Sequence, residues 1–199
     1  MYNILGFNRR NAFVRIISGQ NRGTKLNTLE GENTRPTLDR VKEPLFNIIN
    51  FKLEDAVVLD LFAGSGALGL ESLSRGASKA IFCDNSLKAI EIINKNIEKT
   101  KNESKSIVIK KSYENALEEI KNKKILLDII FIDPPYESNF YCKALEIIEN
   151  LELLKKDGTI ILETDDKDRI LKDINDEYFD ICDIRKYGRA TLIFLNRKG

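Results

Sequence analysis

The chain is 199 residues long, 42% hydrophobic and 32% charged, proportions that fit one globular domain with a substantial core plus an appendage. It has no histidine, which excludes Ser-His-Asp and Cys-His catalysis and any His-ligated metal. Net charge is +1 but uneven, because residues 1–53 carry nine basic and four acidic side chains, a net of +5, and the remainder carries −4.

In chain order, Met1 to Leu5 is too short for the apolar region of a signal peptide, and Arg9, Arg10 and Arg15 follow it. Residues 14–18 and 24–29 are strand-like and flank Gly19-Gln20-Asn21-Arg22-Gly23, which reads as a hairpin with a Gly-rich basic loop. Arg35-Pro36-Thr37 then opens a helix to Asn50, with Thr37 as N-cap and Val41, Leu45, Phe46 and Ile49 as the apolar stripe. Pro44 removes a backbone donor inside that stretch, so a kink or restart is expected there. The positive excess reads either as a grip on a polyanion or as a solvated Lys/Arg surface.

From Ala56 onward strands alternate with helices. Strands are expected at 57–62, 79–83, 106–110, 128–132 and 159–163, the last after the turn Lys156-Asp157-Gly158. Helices are expected at 68–74, 86–99, 113–121 and 139–153, the second with Ile90, Ile93 and Ile97 on one face. This alternation implies a parallel sheet covered by helices on both faces. Two final strand-like runs, 178–185 and 190–196, are joined by Lys186-Tyr187-Gly188-Arg189. Four residues are too few for a parallel crossover, so these runs pair as an antiparallel hairpin. The most apolar run, Ile125 to Ile132, is broken by Asp128 and is shorter than the roughly 18 residues of a membrane span. A soluble, cytoplasmic protein with no membrane partner is expected. The cysteines, Cys83, Cys142 and Cys182, match no C-x-x-C pattern and read as reduced core thiols.

Val58 to Gly69 combines a strand, a Gly-rich turn and the start of a helix. Gly64, Gly66 and Gly69 satisfy G-x-G-x-x-G, and Asp84 ends the next strand about 20 residues on, where a ribose-binding acid belongs. Either a dinucleotide or S-adenosylmethionine fits. Asp60 favours the second, since its charge at the strand's carboxyl end repels a pyrophosphate and attracts the cationic ammonium and sulfonium of the methionine moiety. Phe62, Ala63 and Ser65 complete the candidate loop, and Asn85 follows the acid.

An apolar strand then ends abruptly in Asp133-Pro134-Pro135-Tyr136, at the sheet edge where open α/β folds bind ligands. The prolines restrict the backbone and donate nothing, so the Asp133 carboxylate and Pro134 carbonyl stand as two fixed acceptors suited to an amino group. Two acceptors on an exocyclic base amine favour its pyramidalisation and aim its lone pair at a methyl donor, while Tyr136 offers a flat face for an extruded base. The bland alternative is a strand-ending Pro-Pro turn with Asp133 capping a helix.

These residues together resemble the bacterial 16S ribosomal RNA guanine-N2 methyltransferases of the small-subunit methyltransferase D family. The resemblance runs along nearly all the chain from Arg15: Arg15 to Gly19, Arg22-Gly23, Arg35 to Glu43, Leu45-Phe46-Asn47, Leu59 to Gly69 followed by Glu71, Ser74 to Ala77, and Asp133 to Tyr136. Its most specific segment is Arg35-Pro36-Thr37-Leu38-Asp39-Arg40. The resemblance implies a class I, Rossmann-like α/β fold with a mostly parallel seven-stranded sheet, a C-terminal antiparallel hairpin and an N-terminal β-hairpin and helix. It implies residues 1–53 as a basic extension and 54–199 as the catalytic domain, with S-adenosyl-L-methionine as cofactor and no metal. It further implies Thr37, Arg40, Ser112, Tyr113 and Asp133 at the cofactor; the positive excess of the N-terminal arm puts Arg10 and Arg22, with Arg35, on the RNA. The implied partner is 16S rRNA, within the small ribosomal subunit or an assembly intermediate, met by a monomer. Four departures stand out: Asp84 where relatives usually carry the longer Glu, Ser112-Tyr113 where an acid often meets adenine, Pro44 in the helix, and the extra residues before Phe13.

Rival readings differ in what they leave unexplained. A DNA amino-methyltransferase ordinarily needs a target-recognition domain, and a protein-glutamine methyltransferase more typically has Asn at position 133. A silent RNA-binding or assembly protein need not keep both the glycine loop and Asp133–Tyr136, and a dehydrogenase does not account for the latter at all.

Overall fold

The computed structural model describes residues 14–29, 36–134 and 140–198, with the backbone given for 36–40 and 173. Seven strands form one sheet: β1 Val57–Asp60, β2 Lys79–Asp84, β3 Ser106–Lys110, β4 Leu127–Ile132, β5 Leu154–Thr164, β6 Phe179–Tyr187 and β7 Ala190–Arg197. Their order is β3-β2-β1-β4-β5-β7-β6. The first five run parallel, and β7 is antiparallel to both β5 and β6. The expected wind and its terminal hairpin are both present. Chain direction across the sheet reverses between β1 and β4, so a crevice opens at the carboxyl ends of those strands.

The central strands are apolar at consecutive positions because helices cover both faces. Helices α1 (Pro36–Ile49), α2 (Ala67–Ser74) and α3 (Leu87–Thr100) bury Val41, Leu45, Phe46, Leu70, Leu73, Ile93 and Ile97 against Val58, Phe82, Ile129 and Phe131. On the opposite face α4 (Tyr113–Asn122), α5 (Phe140–Asn150) and α6 (Lys167–Asp173) meet Leu59, Ile81, Ile130 and Ile160 through Leu117, Leu145, Ile148 and Ile170. Among the described residues no helix is long and apolar enough to cross a membrane.

Several local expectations are corrected. α1 begins at Pro36, so Thr37 lies inside its first turn; proline suits the first helical position because its absent N–H has no intrahelical partner there. The helix runs unbroken through Pro44, without the expected restart, since burial of Leu45, Phe46 and Ile49 offsets one missing hydrogen bond. β1 stops at Asp60 and releases Phe62 into the following turn. β5 starts at Leu154, before the expected turn, because Leu154 is buried and pairs with Leu127; Lys156 and Asp157 are an exposed irregularity within the strand. α5 ends at Asn150 rather than at 153. α6 is unanticipated, and the Asp166 carboxylate caps it by accepting from Arg169 N at 3.2 Å. Of the cysteines, Cys83 is buried, Cys142 half-buried and Cys182 exposed on the edge strand, so a core setting holds for one.

The N-terminal hairpin is reduced to a single antiparallel bridge, Arg15 to Lys25, framed by backbone bonds between Ile16 and Thr24 and between Leu26 and Val14. It is short because its partners are elsewhere. Glu71 of α2, fully buried, accepts from Ile17 N at 2.7 Å and Ser18 N at 3.0 Å and pairs with Arg75 and with the equally buried Lys42. Gly19 meets Ser74 so closely that a Cβ would fall 1.7 Å from the Ser74 carbonyl oxygen. Val14, Ile16 and Leu26 therefore join the core of the main sheet.

Candidate active site

The crevice holds a cavity of about 800 Å³, within the range of small-molecule sites. From β1 and its turn come Asp60, Phe62, Ala63, Gly64 and Ser65; from the end of β2, Asp84 and Asn85; from the entry to α4, Ser112 and Tyr113; from the end of β4, Asp133 and Pro134. Eleven of the residues expected at the site thus share one cavity. Gly66 stands behind it, opening α2 with φ 77°, where a Cβ would approach Phe82. Gly69 lets α2 lie against β2, for a Cβ there would fall 2.3 Å from the Phe82 ring. Thr37 and Arg40 lie on α1, where the backbone is described; Arg10, Arg35, Pro135, Tyr136 and Asn139 lie outside the described residues. Arg22 is exposed in the hairpin loop.

The loop is shaped by the acids around it. Asp84 accepts from Gly64 N at 2.9 Å through one oxygen and from Ser86 N at 2.8 Å through the other. Each oxygen keeps a second lone pair for a ligand hydroxyl. Asp60 accepts from Gly69 N at 3.2 Å. Burial raises Asp60 to a pKa of about 7 against the lowering effect of that bond, and the nearby Asp133 and Asp84 carboxylates push it further up. Three carboxylates at the ends of β1, β2 and β4 make a site that favours a cation.

The opposite wall is apolar. Phe62, Tyr113 and Phe140 form an aromatic cluster with ring centroids 5.3–5.6 Å apart. Burial, then hydrogen bonding with Glu114, raises the Tyr113 phenol to about 12, so it stays neutral. Phe140 and Glu114 were not anticipated. Phe140 starts the apolar stripe continued by Ala144, Leu145 and Ile148, a helical period that pointed to the core, whereas its ring also reaches the cavity. Glu114 is one residue past Ser112-Tyr113. Desolvation opposes its ionisation, but bonds from its own N–H, Ser112 and Tyr113, with the Lys143 charge, outweigh this and hold it below the ordinary carboxylate range. Val14, Thr28 and Leu29 of the N-terminal segment also line the cavity.

A nucleotide pyrophosphate would face three carboxylates here, and a dehydrogenase sheet gives no reason for β7 to insert between β5 and β6. What this fold and this lining define is a class I S-adenosylmethionine-dependent methyltransferase. A family model described as conserved hypothetical protein 95 matches residues 14–196. Ribosomal RNA small subunit methyltransferase D of Haemophilus influenzae is 39% identical over 159 residues, covering 79% of this chain and 81% of that one. Its Escherichia coli counterpart of the same description is 36% identical over 152 residues, 76% and 75% of the two chains. The solved structure of yhhF from Escherichia coli superposes with a TM-score of 0.81 at 30% identity, covering 94% of this chain and 99% of that one. The chain belongs to the ribosomal RNA small subunit methyltransferase D family.

The cavity fits the cofactor on its own chemistry, since it sets an acid at the tip of β2 for ribose hydroxyls, aromatic rings for a flat base and excess negative charge for a sulfonium. Replacing Asp84 with Ala is expected to weaken S-adenosylhomocysteine binding by about 1–3 kcal/mol, because the carboxylate available to ligand hydroxyls and the Gly64 tether would be lost together. Titration calorimetry reads this directly, and unchanged affinity would remove Asp84 from the site.

Proposed function

We propose that this chain transfers the methyl group of S-adenosylmethionine to the exocyclic N2 of a guanine in 16S rRNA, acting as a cytoplasmic monomer on the small subunit or an assembly intermediate. The observation that carries the reading is the position of Asp133 and Pro134 in the same cavity as the glycine loop and Asp84. The cofactor supplies an electrophilic methyl on sulfur. The Asp133 carboxylate and Pro134 carbonyl would accept hydrogen bonds from the two amine hydrogens, which frees the nitrogen lone pair to take up that methyl as its bond to sulfur breaks; S-adenosylhomocysteine leaves, and the methylated nitrogen would lose one proton to Asp133 or to water. Pro135 and Tyr136 follow in the sequence, and Tyr136 is assigned as the stacking face for the extruded base. Phe62, Ala63, Ser65, Asn85, Ser112 and Tyr113 hold the cofactor with Asp60 and Asp84, Gly66 shapes the loop behind them, and Thr37 and Arg40 are assigned to the cofactor as well. Glu114 supplies the acid that Ser112-Tyr113 lacks, as an acceptor for the adenine amine.

Residues 1–53 form the RNA grip, and 54–199 the catalytic domain. The test is transfer of a tritiated methyl to small-subunit particles, to naked 16S rRNA and to duplex DNA, with the labelled base identified by nuclease digestion. Label on DNA, or on a base other than guanine, would overturn the proposal. For the grip, replacing Arg10 and Arg22 with Ala should flatten the log–log salt dependence of RNA binding by about one to two units, because each phosphate contact releases counterions. Identical slopes for the wild type and the double variant would make Arg10 and Arg22 a solvated surface.

A further inference from the structure

Asn96 on α3 has no part in the reading above, and its side chain is fully buried. Its Oδ1 accepts from Asn27 N at 2.8 Å and from Asn27 Nδ2 at 3.0 Å. Its Nδ2 donates to Asn27 O at 3.0 Å and to Ser65 O at 2.9 Å. Two acceptances and two donations use the whole capacity of a primary amide. The two elements it joins meet at this amide, and both contribute to the lining of one cavity. Ser65 belongs to the glycine loop, and Asn27 immediately precedes Thr28 and Leu29, which line the cavity from the N-terminal segment. Asn96 itself does not line it.

We propose that Asn96 is a positioning residue of the cofactor site, fastening the Thr28–Leu29 wall to the glycine loop and so fixing where the two lining segments stand relative to each other. The proposal rests on the cofactor reading of that cavity. Hydrogen bonding alone would not require this arrangement, because α3 holds the same segment by a second tie. Asn21 Nδ2 donates to Thr100 O at 3.0 Å and Asn21 Oδ1 accepts from Asn102 at 3.2 Å. That tie grips the hairpin loop at the far end of α3, and none of its three residues lines the cavity. The two ties therefore separate docking of the segment from control of the cleft.

The experiment compares Asn96→Ala, Asn96→Asp and Asn21→Ala with the wild-type chain, by S-adenosylhomocysteine calorimetry and by steady-state methyl transfer with each substrate varied. Losing the bridge should raise the Kd for S-adenosylhomocysteine and the KM for S-adenosylmethionine by about tenfold or more, since small misplacements of a binding wall are costly. The KM for RNA and kcat at saturating cofactor should stay within about threefold, as Asn96 touches neither the acceptor site nor Asp133. Asn96→Asp keeps the acceptor for both Asn27 donors but sets a carboxylate against two carbonyls, so it should show the same split even where the alanine variant folds poorly. Asn21→Ala should leave cofactor affinity within about twofold. Unchanged affinity in the Asn96 variants, or an equal loss in Asn21→Ala, would overturn the proposal. A wild-type chain that binds no S-adenosylhomocysteine would instead overturn the cofactor reading beneath it.

Discussion

Asp133→Ala is expected to lower kcat for methyl transfer by about 10²–10³-fold or more while leaving S-adenosylhomocysteine affinity within a few fold, because preorganised acceptors act mainly on the transition state. An exocyclic guanine amine is a weak nucleophile while its lone pair is conjugated with the ring. Holding its hydrogens out of plane is what the end of β4 can do, and the position of Asp133 comes from the strand itself. Residues 129–132 are buried at consecutive positions between helices on both faces, so the chain cannot shift its register without exposing a core strand. Asp133→Asn keeps one acceptor oxygen and should retain more activity than the alanine variant, with the residual rate no longer assisted by proton acceptance. Single-turnover kinetics with saturating cofactor separate this loss from slow product release. Retention of more than about a tenth of the wild-type rate by Asp133→Ala would sink the proposed role.

The parallel strands and the cavity's acids were legible in the sequence because each is a local pattern. Consecutive β-branched residues need two covered faces, and a glycine loop after such a strand has few uses. Three kinds of feature were not legible. Phe140 packs in the core and lines the cavity at once, and a helical stripe reports only the first. Glu114 became part of the site through the turn of α4 that brings it beside Ser112, a matter of side-chain geometry. The N-terminal hairpin read as a two-stranded unit, yet its hydrogen bonds go largely to Glu71, Ser74 and Asn96 on α2 and α3. Those partners are 53 to 69 residues away, a separation that no local pattern encodes. Pro44 shows the converse, a strong local signal overruled by burial of the residues beside it.

The second large effect concerns Asp60, whose carboxyl is raised from 3.8 to about 7 by burial and, further, by Asp133 and Asp84. Between those two values the folded, unliganded chain holds a proton that the unfolded chain has released. Stability of the empty protein should therefore be greatest below about 4 as far as this group is concerned, and should fall as pH rises towards 7. A cation entering the cavity reverses the preference. Affinity for S-adenosylmethionine should thus rise with pH up to about 7 and level off above it, where Asp60 is already ionised and pairing with a cation no longer costs a deprotonation. Asp60→Asn keeps an acceptor for Gly69 N–H and removes the buried charge. At pH 8 the unliganded variant is expected to be more stable than the wild type by about 1–3 kcal/mol, a gain that shrinks as pH falls through the window. The same variant should bind S-adenosylmethionine about tenfold or more weakly, and should lose more affinity for it than for S-adenosylhomocysteine, which lacks the sulfonium charge. Its affinity should also lose the pH slope below 7. Asp133→Ala, by removing one neighbouring charge, should move the wild-type midpoint downward. Urea unfolding at pH 5 and pH 8, with calorimetry of both ligands at each pH, reads all of these. Equal losses for the two ligands together with an unchanged pH slope would show that the Asp60 charge serves the glycine loop and not the cofactor.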